Sequence, residues 1–367
     1  MDFSLTSQQK DLVNLTLKVL KDQGEKCKDL HNLDAPFSSS LWKELANTGI
    51  LGVNIDKDYG GSQLTFIETC LIAESLGSFA VTTPFLNTTI LADAINTFGS
   101  KELKLMILPK VVKGQSILSL GVKEFSDVFN SNPKLDFKNK ELVLDGTTNY
   151  VAFAKESDFI LVSCKHNNKM KLILVNSKSP GLKFSKLVTT TGEYQYRVDF
   201  LNTKINQDLF LSELSSPDEK ILKWLMNRMI IGLCSFALGI NKASLKLTTS
   251  YTSQRNAFKK PIASFQAVRH RTADCYIDIA CLRVVTEQAI SALNLNKEAD
   301  KEVAIAKIWC GDICHRISYA CQHLHGGIGI DKDYSLYKYS LWAKQLELSF
   351  GSSLFFLRKL GKLIAKN

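Results

Sequence analysis

Near the C-terminal end, the run from Tyr319 to Ile330 reads YACQHLHGGIGI, and its double glycine is the feature best suited to meet a ligand. Gly326 and Gly327 lack a Cβ, so the backbone can take positive φ and leave an N–H open to a ligand oxygen or ring face. An apolar run of helical period precedes them, so the same pair also reads as a helix C-cap. Just upstream, Cys310, Cys314 and Cys321 recur at helical spacing with His315 beside them. Thiols and an imidazole can hold a metal, but no CxxC pair is present and small buried cysteines pack cores, so no metal site is expected.

The elements that position these residues change character along the chain. Residues 1–113 read as an all-helical domain. Leu12, Leu15, Val19 and Leu20 form one stripe, and Leu41, Leu45, Ile50 and Leu51 belong to another segment, entered through the N-cap cluster Ser38 to Ser40. Asp58-Tyr59-Gly60-Gly61 breaks the pattern before a helix through Ile67, Leu71, Ile72 and Leu76 to Gly77. Residues 114–214 carry short segments rich in β-branched and apolar residues, Ser116–Val122, Glu141–Leu144, Phe159–Cys164, Lys171–Asn176 and Arg197–Phe200, which predict a small antiparallel sheet or barrel. Residues 215–367 return to helical period, with predicted helices Leu222–Leu247, Phe265–Leu293, Ala304–His323 and Leu341–Lys362 forming a four-helix bundle. Gly232 and Gly239 on the first of these suit close helix packing. The fold class is therefore α+β, mostly α.

At 367 residues with 45% hydrophobic content and seven prolines, the chain suits two or three folded domains. Its net charge of +10 is spread along the sequence, which suits a phosphate-bearing partner and serves solubility equally well, and no Arg/Lys pattern interleaved with aromatics suggests a nucleic-acid groove. Nine cysteines, an odd and irregularly spaced set behind a polar start, point to a reduced cytoplasmic protein. No apolar run of about 18 residues without charge predicts a membrane span.

Three stretches in this order resemble the acyl-CoA dehydrogenase family over essentially the whole chain. They are Trp42-Lys43-Glu44-Leu45-Ala46 with Gly49-Ile50-Leu51-Gly52, Tyr59-Gly60-Gly61 and Ala73-Glu74-Ser75-Leu76-Gly77; then Arg255-Asn256-Ala257-Phe258-Lys259-Lys260-Pro261-Ile262 with Phe265-Gln266-Ala267-Val268; then His325-Gly326-Gly327-Ile328-Gly329. The resemblance implies FAD, oxidation of the Cα–Cβ bond of an acyl-CoA thioester, and electrons passed to an electron-transfer flavoprotein. It also implies ADP-side cofactor contacts at Arg255, Phe258, Gln266, Gln322, His323, Gly326 and Gly327, and a substrate-side role for Arg228. A planar guanidinium such as that of Arg255 suits a pyrophosphate. Lys259 stands where the family has glycine, and His323 where it has glutamine.

The other half of the family's site is eroded. The run Val122-Lys123-Glu124-Phe125-Ser126-Asp127 lacks the proline and glycine expected near the flavin ring, and Asn149-Tyr150-Val151-Ala152-Phe153 replaces the Trp and Thr placed against it. The usual base position holds Phe350 before Gly351, and the minority position holds Asn227 before Arg228; neither takes a proton. Glu347 and Glu124 are the substitute candidates. In the family each FAD lies across a subunit boundary, and this chain keeps what a neighbour supplies. It is expected to be the base-less subunit of a heteromeric enzyme like those acting on steroid side chains, in a dimer of unlike pairs or a tetramer. The alternatives are a homomeric flavoprotein, with or without an atypical base, and a non-catalytic assembly protein of the same fold.

Overall fold

The computed structural model describes residues 4–26, 37–122 and 133–365. The chain divides into two compact units, Met1–Leu20 with Cys70–Val81 and Ile230–Asn367, and Lys21–Thr69 with Thr82–Met229. Helix α1 (Ser7–Lys26) opens the chain, with Val19 and Leu20 buried.

In the unit of residues 21–69 and 82–229, α2 (Ser39–Asn47) starts where the Ser38 hydroxyl accepts the Leu41 N–H at 3.2 Å, and it buries Leu41, Trp42 and Leu45. A 3-10 turn at Ile50–Gly52 and another at Lys57–Tyr59 follow, the second closed by Gly60 at φ +87°. Helix α3 (Phe66–Ser78) begins here, and α4 (Phe85–Phe98) and α5 (Lys101–Val112) complete the helical part. On α4 the Thr88 hydroxyl donates to Leu118 O and accepts from Leu118 N, fastening the helix to the first strand of the sheet.

That sheet comprises β1 (Leu118–Gly121), β2 (Lys134–Lys138), β3 (Glu141–Ala152), β4 (Phe159–His166), β5 (Lys169–Asn176), β6 (Leu182–Leu187) and β7 (Gln195–Lys204). The order is β1-β4-β2-β3-β7-β6, with β5 also on β4. It is mixed, not antiparallel throughout: β1 and β2 both pair parallel with β4, the remaining pairs being antiparallel. Alternating inward residues Leu142 and Leu144, Ile160 and Val162, Tyr196, Val198 and Phe200 fill one core. Lys171 and Asp218, both with fully buried side chains, form an ion pair at 3.1 Å that ties the segment after the sheet to β5.

In the other unit, α6 (Glu219–Gln254), α7 (Gln266–Asn294), α8 (Asp300–His325), α9 (Leu336–Leu348) and α10 (Ser353–Ile364) follow one another, with a two-stranded hairpin, β8 (Asn256–Ala257) and β9 (Lys260–Pro261), between α6 and α7. The end of α3 crosses α6 through two glycines. A Cβ on Gly77 would lie 2.1 Å from Phe236 O, and one on Gly239 would lie 2.0 Å from Glu74 O, so both backbones approach with no room for a side chain. The predicted last helix is two helices, because Phe350 at φ +57° and Gly351 at φ +114° turn the chain between α9 and α10. Lys307 of α8, fully buried, donates to Leu346 O at 2.7 Å and Glu347 O at 3.2 Å and so caps α9 at this turn. The most apolar window of α6 is long enough to cross a membrane by composition alone, yet it is 72% buried, as in the core helix of a folded domain.

Candidate functional site

Three segments meet at one end of the bundle. Arg255 follows the last turn of α6, where its N–H bonds Tyr251 O at 2.8 Å, and its carbonyl accepts from Ile262 N after the β8–β9 hairpin. Tyr251, one turn earlier, stacks on His325 at 4.5 Å, which brings the end of α6 against the end of α8. Arg271 of α7 donates to His323 Nδ1 of α8 at 2.6 Å, which joins the third segment. Arg255, Phe258, Gln266, His323, Gly326 and Gly327 are all exposed here, and Gln322 is half-buried.

The side chains leave the surface open to an anionic or aromatic ligand. Among the described residues Arg255 makes no ion pair, Phe258 is 89% exposed, and a Cβ on Gly326 or Gly327 would meet nothing within 4 Å. Exposed guanidinium, open ring and bare backbone fit a nucleotide diphosphate. The loop is firm beneath them. Buried His325 donates from Nδ1 to Cys321 O at 2.8 Å and accepts at Nε2 from the Tyr334 hydroxyl at 3.2 Å, and burial holds its pKa below the ordinary 6.5. The hairpin tip carries Phe258 at φ +52° and Lys259 at φ +66°, positive values that glycine takes without cost. Lys259→Gly is therefore expected to raise stability by about 1 kcal/mol, read as a shifted urea midpoint.

At the two family base positions stand Phe350 and Asn227, neither of which takes a proton. Phe350 lies half-buried in the turn that divides α9 from α10. Glu347 is half-buried, and its carboxylate is held by Lys344 at 2.7 Å beside His315 at 3.5 Å. A carboxylate engaged by an ammonium is poorly placed to reach a substrate proton. Glu124 lies outside the described residues. Tyr150 and Phe153 stand at φ +58° and +56° around a register shift between β3 and β7, with Tyr150 50% exposed and Phe153 buried. Among the described residues no cluster of three His, Cys, Asp or Glu could hold a metal. The eight described cysteines are free thiols and all but Cys281 are buried.

The unit of residues 21–69 and 82–229 holds a buried polar site of its own. Asn227 and Arg228 are both buried on α6. The Arg228 guanidinium lies 3.7 Å over Trp224 and 5.5 Å from Phe66, with Nε 3.9 Å from Asp93 Oδ2 on α4. Burial raises the Asp93 pKa from 3.8 to about 6; Arg228 opposes this and Asp56 adds to it. The sign follows: Asp93 protonates more readily folded than unfolded, so its stabilising contribution is complete below 3.8 and is lost as pH rises through about 6. Urea midpoints across this window are expected to fall more steeply in the native chain than in Asp93→Asn.

Comparison with known proteins places this architecture. The acyl-CoA dehydrogenase N-terminal domain matches residues 6–115, and the acyl-CoA dehydrogenase C-terminal domain matches residues 220–362. Acyl-CoA dehydrogenase FadE27 of Mycobacterium tuberculosis is 28% identical over 377 residues, spanning 100% of this chain and 99% of its own. Acryloyl-CoA reductase (NADH) of Anaerotignum propionicum is 25% identical over 368 residues, 96% of this chain and 93% of its own. A chain in the crystal structure of the ChsE4-ChsE5 complex from Mycobacterium tuberculosis superposes with a TM-score of 0.93 at 28% identity, covering 100% of both chains. With both terminal models in sequence order and the fold shared from end to end, the chain belongs to the acyl-CoA dehydrogenase family of FAD-dependent oxidoreductases.

Proposed function

We propose that the chain is the base-less subunit of a heteromeric acyl-CoA dehydrogenase, holding the ADP half of an FAD whose reacting end and catalytic glutamate belong to a partner chain of the same fold. One observation carries this reading: both family base positions hold residues that cannot accept a proton, Phe350 and Asn227, while the exposed end of the bundle is open for a nucleotide diphosphate. Similarity along the whole length to a chain of the ChsE4-ChsE5 complex supports it.

In this reading Arg255 faces the pyrophosphate, Phe258 lies against the adenosine region, and Gln266, Gln322 and His323 offer polar contacts. Gly326 and Gly327 let the backbone come close. FAD, when bound, supplies the hydride acceptor for α,β-desaturation of an acyl-CoA thioester, and an electron-transfer flavoprotein collects the electrons. Arg228, buried beside Asn227, is assigned to the substrate side of the chain's own eroded site. The buried free thiols support a reducing cytoplasmic setting. Co-expression with a glutamate-bearing acyl-CoA dehydrogenase chain tests the reading: a stable complex that reduces dye with an acyl-CoA is expected, whereas a chain that remains apart from every such partner would overturn it.

A further inference from the structure

Two histidines stand two residues apart at the end of α8, and their partners fix opposite tautomers. His325 gives its Nδ1 proton to Cys321 O, because a carbonyl only accepts. His323 faces the reverse case. Its Nδ1 lies 2.6 Å from Arg271 Nη1, and a guanidinium has donors only, so Nδ1 must supply the lone pair. The single proton of neutral His323 then sits on Nε2. Tyr319, one turn earlier on α8, stacks against His323 with an interplanar angle of 12° and centroids 6.4 Å apart, while Arg271 Cζ lies 5.6 Å over the same tyrosine ring. The imidazole is thus held from two sides. It is exposed, and Nε2 has no hydrogen-bond partner among the described residues. Three residues on, Gly326 offers open backbone.

We infer that Arg271 is a positioning residue: it fixes His323 as an Nε2–H donor aimed at the ADP half of the cofactor. The inference rests on the partner-subunit reading for the ligand and on geometry for the tautomer. The neighbouring guanidinium, that of Arg316, does not compete, since it is engaged by both Asp278 oxygens at 2.8 and 2.9 Å. A fixed donor can meet an acceptor on adenine, ribose or phosphate without first paying to choose a tautomer, and losing that orientation costs about the value of one neutral hydrogen bond, roughly 3- to 10-fold in affinity.

The test uses the full chain purified alone, labelled with 15N-histidine, with ADP as the probe. The chain has six histidines, so the ring signals are few enough to assign. Long-range 15N–1H couplings are expected to show His323 protonated at Nε2 and His325 at Nδ1. Arg271→Met should convert His323 to a tautomer mixture while leaving His325 unchanged, and Arg271→Lys, which keeps a donor, should preserve the native pattern. ADP titrations followed at the Gly326 and Gly327 amides should give a Kd about 3- to 10-fold weaker for Arg271→Met. In a His323→Gln background, where no tautomer needs fixing, Arg271→Met should leave the Kd unchanged. Native His323 protonated at Nδ1, glycine amides unmoved by ADP, or an equal loss in both backgrounds would each overturn the inference. Failure of the partner-subunit reading is separately visible, as a co-expressed complex without flavin while the chain purified alone still shows this coupling to ADP.

Discussion

In the co-expressed complex, Arg255→Met is expected to cut retained flavin by about 10- to 100-fold, the value of a charge-assisted contact to a pyrophosphate. The substitution should leave folding intact, because Arg255 is exposed and makes no ion pair among the described residues. Only its backbone is used structurally, bonding Tyr251 O and Ile262 N, and methionine keeps both bonds. Arg255→Lys retains the charge without the planar fork and should fall between the two. The readout is flavin absorbance per complex after gel filtration, beside an unfolding curve. Full flavin retention by Arg255→Met would remove Arg255 from the clamp, and a loss accompanied by lower stability would assign it to the fold.

Asp218→Ala is expected to destabilise the chain by about 3–5 kcal/mol, the cost of leaving a buried charge without its counter-charge. Lys171 Nζ is enclosed by Asp218 at 3.1 Å and by Ser212 Oγ, Glu213 O and Ser216 O, each at 2.8 Å. The Asp218 carboxylate also accepts the Leu172 N–H at 2.7 Å and the Ser212 hydroxyl. Removing it strands an ammonium among neutral acceptors and loosens the segment that leads into α6. Lys171→Met combined with Asp218→Leu should recover much of the loss, because the pair's net worth against apolar side chains is small. Urea unfolding measures both. A cost below about 1 kcal/mol for the single variant would mean that water reaches the lysine.

Much of the helical scaffold is legible in the residues, and the reasons are local. Ser38 caps α2, Gly60 closes a turn, and Gly77 with Gly239 marks a crossing where backbones touch. What escapes a linear reading depends on partners distant in sequence. Strands β2 and β6 are short, with Lys134, Asp136 and Lys138 on one and Lys183 and Lys186 on the other, so their apolar alternation is thin and only pairing with β3 and β7 defines them. Parallel pairing of β1 with β4 joins residues 41 apart, as Leu118 meets Phe159. The break between α9 and α10 lies between two apolar stretches of similar period, and only Gly351 with Ser352, the N-cap of α10, signals it.

The candidate site divides in the same way. The family resemblance picks out Arg255 and the double glycine, since a lone loop arginine and a glycine pair after a helix also read as a solvated side chain and a C-cap. Arg271 gives no such signal, since its role comes from a contact with His323 across 52 positions. Asp93 could have been found: it is a lone carboxylate on the otherwise apolar stretch Ile90 to Ile95, and Lys171 stands out similarly in β5. A single charge in a buried period implies a partner, although sequence does not say which.

The most direct test of the partner-subunit account is the visible absorption spectrum of the chain purified alone and again as a complex with a glutamate-bearing acyl-CoA dehydrogenase chain. The account predicts flavin bands and acyl-CoA-dependent dye reduction in the complex, and a colourless, inactive lone chain. Stoichiometric flavin with dye reduction in the lone chain would contradict it and direct attention back to Glu347.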